Sequence, residues 1–350
     1  MKGKILKRKI KRVKFPKTKG VIGLIIFICV SFLIYKSGLK ISDFLHSTGL
    51  SPKTVLRLIF DSGSELRDTQ GFTNVVILGV GGGVHAGSDL TDTMLLVSVN
   101  SQNKSLNYIS IPRDIWSETL KDKVNTAYHY GEKKEIGGGL MLSKIITEEI
   151  VKKQIHYAVM VDFLGFVKII DLIGGLEIDV QTGFVDEHFP ITGKEDDDCD
   201  GDSQYLCRYM EVEFKKGIQH MDGERALIYV RSRYAEGDQG TDFARGKRQQ
   251  EVLNALKNKL FKFSELMNFQ RNKILFDTVT SSINTDMNLV EMLTFIKIFT
   301  RINDSETNSI NIDELFYVSD DPYFEGRYVL VPIDDFEVVG KYIEKKLNGE

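Results

Sequence analysis

An α/β fold is predicted for most of this chain, with one apolar span ahead of it. Segments of strand and helix type alternate from Phe72 to the C-terminus. Several of the strand segments are solidly apolar, as in a sheet covered on both faces. No internal repeat is visible, so the alternation reads as one large layered domain of about 280 residues.

The elements follow in order. Asn74–Leu78 (NVVIL), Thr93–Val99 (TMLLVSV) and Leu106–Ile111 (LNYISI) read as strands, the last ending at Pro112. Residues 138–153 place Leu140, Ile145, Ile146, Ile150 and Val151 at helical spacing. A strand over 157–161 and a helix over 163–173 follow, the helix closed by Gly174-Gly175, and then a strand over 176–180. Residues 181–222 read as a long insertion too polar to be core. A strand over 226–230 and a helix over 245–265 come next. The C-terminal extension reads as helix (289–299), strand (327–331) and helix (336–347).

The N-terminus predicts the compartment. Residues 1–19 carry ten Lys or Arg and no acid, and the sixteen residues GVIGLIIFICVSFLIY that follow carry no charge. A span needs about twenty residues, which Lys19 and Lys36 can supply by snorkelling and Leu39 and Ile41 by extending the apolar face. A cleaved signal peptide is the alternative, but no A-x-A-like site follows the run. The expected layout is a basic cytoplasmic tail (1–19), a transmembrane helix (20–36), a juxtamembrane connector (37–70) and an extracytoplasmic domain (71–350). The whole chain carries a net charge of −3, so without its +10 tail it stands at −13. So acidic a body is a poor nucleic-acid binder, and the tail suits anionic lipid headgroups. Of the three cysteines, Cys29 lies in the span. Cys199 and Cys207 are expected to pair as a local disulfide in that oxidising compartment. Zinc is the rival for them, with no nearby His or second Cys pair to complete it.

The chemistry concentrates in LIYVRSRYAEGDQGTDFARGKRQQ (227–250). Arg231, Arg233, Arg245 and Arg248, with Asp242, fall within about eighteen residues. On a strand, Arg231 and Arg233 share a face. Arg245 and Gln249, four apart, share one on a helix opened by Asp242. Converging planar guanidiniums suit phosphate or pyrophosphate, the bland alternative being a solvated charged face. The glycine loop at 79–87 fits neither a dinucleotide fingerprint with a following helix nor a P-loop. It presents Asp89 and Asp92 at the mouth of a strand. Paired carboxylates facing arginines suit a Mg²⁺ that shares phosphate oxygens, and turn formation is their other use. Arg113 follows the third strand, with Asp114 to orient it, where ligands of α/β sheets sit. No G-x-S-x-G elbow or nucleophile–base–orienter triad is present.

In this order the segments NVVILG (74–79), LTDTM (90–94), SIPRD (110–114) and DKVNTAY (122–128) resemble the LytR-CpsA-Psr family. The likeness continues through HYAVMVDFLGFVKIIDLIGGLEIDV (156–180), GIQHMDGERALIYVRSR (217–233) and DFARGKRQQ (242–250), covering roughly residues 72–260. The resemblance implies a three-layer α/β/α sandwich around a mixed central sheet, with a hydrophobic channel for a polyprenyl chain. It implies a Mg²⁺-dependent phosphotransferase that moves an anionic glycopolymer, teichoic-acid-like or capsular, from undecaprenyl pyrophosphate onto peptidoglycan, with pyrophosphate hydrolysis as a side activity. By the same resemblance Arg113, Arg231, Arg233 and Arg245 grip the pyrophosphate, Asp92 holds Mg²⁺, Asp242 and Gln249 complete the pocket, and Lys144 contacts substrate; Arg248, from the arginine cluster itself, is read as a further substrate contact. This chain has Val80 and Gly81 where many relatives have a further aspartate, and Leu90 where many have Arg; Asp89 is the nearest stand-in carboxylate. A carrier-binding protein without turnover is the alternative. A transcriptional attenuator is another, but its cytoplasmic part would be nineteen residues, too short for a DNA-docking module.

Overall fold

A computed structural model describes residues 51, 66–82, 88–194, 196–261 and 277–349. All elements below belong to the compact unit that runs from Leu58 to Glu350. The span read at 20–36 and most of the connector lie outside the described residues. Among these, no helix is long and apolar enough to cross a membrane.

The chain begins with β1 (Phe72–Val80), β2 (Thr91–Asn100) and β3 (Ser105–Ser110), then the short ribbon β4 (Trp116–Ser117) and β5 (Asp122–Lys123). Helices α1 (Ala127–Lys134) and α2 (Gly138–Val151) lead to β6 (Tyr157–Asp162), α3 (Phe163–Leu172) and β7 (Leu176–Val180). Next come β8 (Phe184–Pro190), β9 (Tyr209–Phe214), β10 (Gly217–Met221), α4 (Gly223–Arg231) and α5 (Asp242–Phe261). The C-terminal part holds β11 (Ile283–Thr285), α6 (Leu289–Arg301), β12 (Thr307–Ile310), β13 (Phe316–Val318), β14 (Leu330–Pro332) and α7 (Phe336–Leu347).

The central sheet has the order β11-β6-β1-β2-β3-β12 and is mixed. β1 runs parallel to β6, β3 parallel to β12, and the other neighbours are antiparallel. Side chains alternate across it. Val76, Leu78, Val80, Met94, Leu96 and Ile109 pack on one face against α1, α2 and α7, through Tyr128, Ile146, Ile150, Val339 and Ile343. Leu95, Val97, Val99, Leu106 and Tyr108 pack on the other against α6 and α5, through Phe299, Phe295, Ile298 and Leu253. This is the α/β/α layering. A further core joins α3, β7, α4 and α5 to the β8–β9 ribbon.

Three sequence expectations are corrected. Residues 226–230 are helix, not strand, because Asp222 caps α4 by accepting from the Arg225 N–H at 2.8 Å; the apolar run LIYV has no period of its own. Arg231 is therefore the last residue of a helix and Arg233 lies in the turn beyond, not on one strand face. The 181–222 segment is not simply polar surface. It forms β8 and β9, pairs β10 with β7, and buries Phe184, Phe189, Val212 and Phe214. The third is the strand expected at 327–331, which is Leu330–Pro332 in the structure; residues 127–134, unassigned by sequence, are α1. Cys199 and Cys207 are disulfide-bonded with Cα atoms 5.5 Å apart, in agreement with expectation.

Candidate active site

The strand ends build the site. β1 and β6 are parallel and finish together at Val80 and Asp162, while β2 starts there because it runs back (Val80 pairs with Thr91). Asp92 and Thr93 therefore stand beside the C-terminal ends of β1 and β6. Asp162 caps α3 by accepting from the Gly165 N–H at 2.6 Å, which brings Phe163 to the same edge. β3 ends at Ser110, and Arg113 follows. Its Nη1 donates to Asp92 Oδ1, and its Nε is 3.4 Å from Asp114 Oδ2. Asp114 Oδ1 also accepts from Lys123 Nζ at 2.6 Å.

Helix α5 delivers the next group. Thr241 precedes it, its hydroxyl accepting from the Ala244 N–H at 3.2 Å, and Asp242 occupies the first turn, where the helix dipole favours an anion. Arg245 Nη1 is 2.8 Å from Asp242 Oδ1, and Arg233 Nη2 is 3.8 Å from the same oxygen. Gln249, one turn on, donates to Thr93 Oγ1 at 2.9 Å. The helix approaches β3 closely at Gly246, where a Cβ would stand 2.6 Å from Ser110 Oγ. Burial is the main cause that pulls the Arg245 guanidinium down to about 10; Asp242 opposes the shift, and Arg233 and Arg113 add to it.

These elements enclose a cavity of about 200 Å³ lined by Asp92, Thr93, Arg231, Arg233, Tyr234 and Arg245, with an apolar wall of Phe163, Phe189, Pro190 and Val230. The Arg231 guanidinium lies over the Phe163 ring at 4.6 Å and 5.6 Å from the Phe189 ring centre. Guanidiniums and apolar rings lining one cavity suit an amphipathic anion. Asp92, Asp114 and Asp242 balance the cations incompletely, since Asp114 is shared with Lys123.

The remaining candidates are placed elsewhere. Arg248 is only 2% exposed and does not line the cavity. Its Nε donates to Tyr229 O and its Nη1 to Gln239 O, both at 3.0 Å, and its Nη2 to Ser232 O. It fixes the arginine-bearing turn, which corrects its reading as a substrate contact. Lys144 pairs with Asp286 at 2.5 Å, and Asp286 in turn accepts from the Ala158 N–H near the start of β6. That is the opposite end of the strand from the cavity, so the structure does not bring Lys144 to the arginines. The Asp89 carboxylate is 2.6 Å from His129 Nδ1 and is not part of the cavity lining.

Asp186 is the site residue that sequence reading missed. Fully buried on β8, it accepts from the backbone N–H groups of Arg233 (3.0 Å), Tyr234 (3.2 Å) and His188 (3.1 Å). The signal was present: Phe184 points inward, so the residue two further along a strand does too.

The LytR_cpsA_psr family profile matches residues 48–336, most of the chain. TagV of Bacillus subtilis (strain 168), named a polyisoprenyl-teichoic acid–peptidoglycan teichoic acid transferase, is 27% identical over 228 residues, 63% of this chain. The chain spans about half of that relative, 51%. TagU of Oceanobacillus iheyensis, named for the same activity, is 28% identical over 297 residues, 82% of this chain and 81% of TagU. The crystal structure of B. subtilis TagV is similar with a TM-score of 0.56 at 24% identity, covering 80% of this chain and 99% of that one. TagT with bound octaprenyl pyrophosphate lipid gives 0.51 at 22%, covering 83% and 93%. At those identities the structures establish the shared fold. This chain belongs to the LytR_cpsA_psr family.

Proposed function

We propose that this protein is a membrane-anchored, extracytoplasmic transferase that moves an anionic glycopolymer, of teichoic-acid or capsular type, from undecaprenyl pyrophosphate onto peptidoglycan. The observation that carries the reading is the meeting of Arg231, Arg233 and Arg245 with the apolar wall of Phe163, Phe189 and Val230 in one cavity. A pyrophosphate joined to an isoprenoid has that polarity. The names of TagV and TagU, and the octaprenyl pyrophosphate bound to TagT, support the same class of substrate.

In this reading the arginines hold the pyrophosphate oxygens and stabilise the charge that develops as a sugar hydroxyl attacks phosphorus. Arg245 is the most buried of them, so its interaction with a phosphoryl oxygen is the least screened by water. Arg113 and Gln249 hold Asp92 and Thr93 in place at the cavity wall. Asp92, half exposed and on that wall, fits a Mg²⁺ that takes most of its oxygens from phosphate and water. The ion would supply further charge neutralisation there.

The test is transfer by the full-length protein in detergent from a radiolabelled lipid-linked glycan to a peptidoglycan oligomer, with and without Mg²⁺. Label that never reaches the oligomer while the lipid still binds would favour the carrier-binding alternative. One observation favours that second reading: Val80 and Gly81 provide no carboxylate, and Asp89 is engaged by His129.

A further inference from the structure

The cavity accounts for the ends of β6, β1 and β2 but not for the neighbouring ends of β3 and β12. There the C-terminal extension has built a second surface. β12 runs parallel to β3 with Ile310 beside Ile109, so the residues after each strand emerge side by side. Leu330 N–H donates to Asp114 O at 2.9 Å and Ile333 N–H to Leu315 O at 2.9 Å, which fixes residues 311–333 along the edge of the arginine site. Asp313 lies in the turn directly after β12, its own N–H held by Asn311 Oδ1 at 2.8 Å. Its carboxylate has neither a hydrogen-bond donor nor an ion pair among the described residues, although Arg245 is within electrostatic reach. Asp242 and Arg245 of α5 and its neighbour Glu314 act on it electrostatically. Tyr328, 54% exposed, completes the surface, within electrostatic reach of Asp114, Asp242, Arg233 and Asp313.

We infer that this surface is the acceptor side of the site, where a saccharide docks on Tyr328 and Asp313 takes the proton of the attacking hydroxyl. The inference rests on the transferase reading. An exposed aromatic ring beside carboxylates suits a pyranose, whose C–H face packs on the ring while its hydroxyls donate to the acids. The step balances: the acceptor O–H proton passes to the Asp313 carboxylate, the new O–P bond forms to the glycan-bearing phosphorus, and the P–O bond to polyprenyl phosphate breaks with its electron pair. A carboxylate held by arginines would be a poor base; Asp92, Asp114 and Asp242 are so held, and Asp313 has no such partner among the described residues. Burial first, then the charge of Asp242, raises its pKa to about 6, against the pull of Arg245. The base form is therefore present above that pH and lost below it.

The experiment measures transfer by the full-length protein as a function of pH, with octaprenyl pyrophosphate binding measured in parallel. Asp313→Asn is expected to lower kcat about 100-fold, to remove the acid limb near pH 6 and to leave lipid binding intact. Asp313→Glu should recover part of the rate and the limb. Tyr328→Ala should raise KM for the peptidoglycan oligomer more than it lowers kcat. Glu314→Gln, exposed and adjacent, is the charge control: it should keep the wild-type rate at high pH and only move the acid limb to slightly lower pH, because one charge that raises Asp313 is gone. A wild-type rate and pH profile in Asp313→Asn, or a tenfold loss of lipid binding in it, overturns the inference alone. Absence of transfer by the wild-type protein overturns the transferase reading, and this inference with it.

Discussion

Replacing Gly246 by Ala tests whether the site depends on how closely α5 approaches the sheet. The added Cβ would stand 2.6 Å from Ser110 Oγ and 2.8 Å from Ser110 Cβ. The hydroxyl can rotate away; the Cβ of a strand residue cannot. Intrinsic propensity favours Ala by about 1 kcal/mol inside a helix, whereas overpacking costs about 1–3 kcal/mol. The net change in stability is therefore a loss of about 0–2 kcal/mol, readable by urea denaturation. Turnover should suffer far more, because Asp242, Arg245 and Gln249 ride on the same two turns as Gly246. A displacement of about 1 Å can cost about 100-fold in rate. Ser110→Gly removes both clashing atoms, so the double variant should regain most of the activity and relieve the overpacking cost, less about 1 kcal/mol for glycine inside a strand. A Gly246→Ala protein with wild-type kcat/KM would refute the reasoning that close approach positions the arginines.

Further outcomes follow from the same geometry. Arg248→Met should lower stability by about 3 kcal/mol, because the carbonyls of Tyr229, Ser232 and Gln239 lose a charged donor; a thermal melt unchanged from wild type would return Arg248 to the list of ligand contacts. Arg231→Lys keeps the charge but loses the planar fork over Phe163, so turnover should fall at least about tenfold, about 1.4 kcal/mol, with the fold intact. Cys199→Ser opens a short loop and should cost about 2–3 kcal/mol at most while transfer is kept, as a denaturation curve beside a transfer assay would show.

The central sheet was legible because β1, β2 and β3 are covered on both faces, and burial of that kind selects unbroken runs of Val, Ile and Leu. The same rule misled at 226–230, since a buried face of a short helix can also be an apolar run, and the decisive signal was the Asp222 cap just upstream. β8 and β9 escaped because polar residues separate their buried Phe184, Phe189, Val212 and Phe214, and one of them, Asp186, is itself buried, so their average composition is polar. Residue type identified the anion-binding character of the 227–250 stretch but could not divide its arginines. Arg245 and Arg248 are three apart on one helix, yet one faces the cavity and the other the end of α4. Only packing makes that distinction. Asp313 carries no motif, and its place at the site comes from strand pairing that spans about two hundred residues of sequence.

That division between Arg245 and Arg248 has an electrostatic reason. α4 ends at Arg231, so its C-terminal carbonyls and the negative end of its dipole point toward the turn that carries Arg233. Left bare, those carbonyls would repel a pyrophosphate in the adjoining cavity. Arg248 caps Tyr229 O and Ser232 O with a buried cation, and Asp186 takes the N–H groups of Arg233 and Tyr234. The turn therefore needs nothing from the ligand to hold its shape. Arg231 and Arg233 remain at the cavity, beside the positive N-terminal end of α5. One buried arginine thus lets a helix C-terminus sit beside an anion site, and the buried aspartate fixes the direction in which the next arginine leaves the backbone.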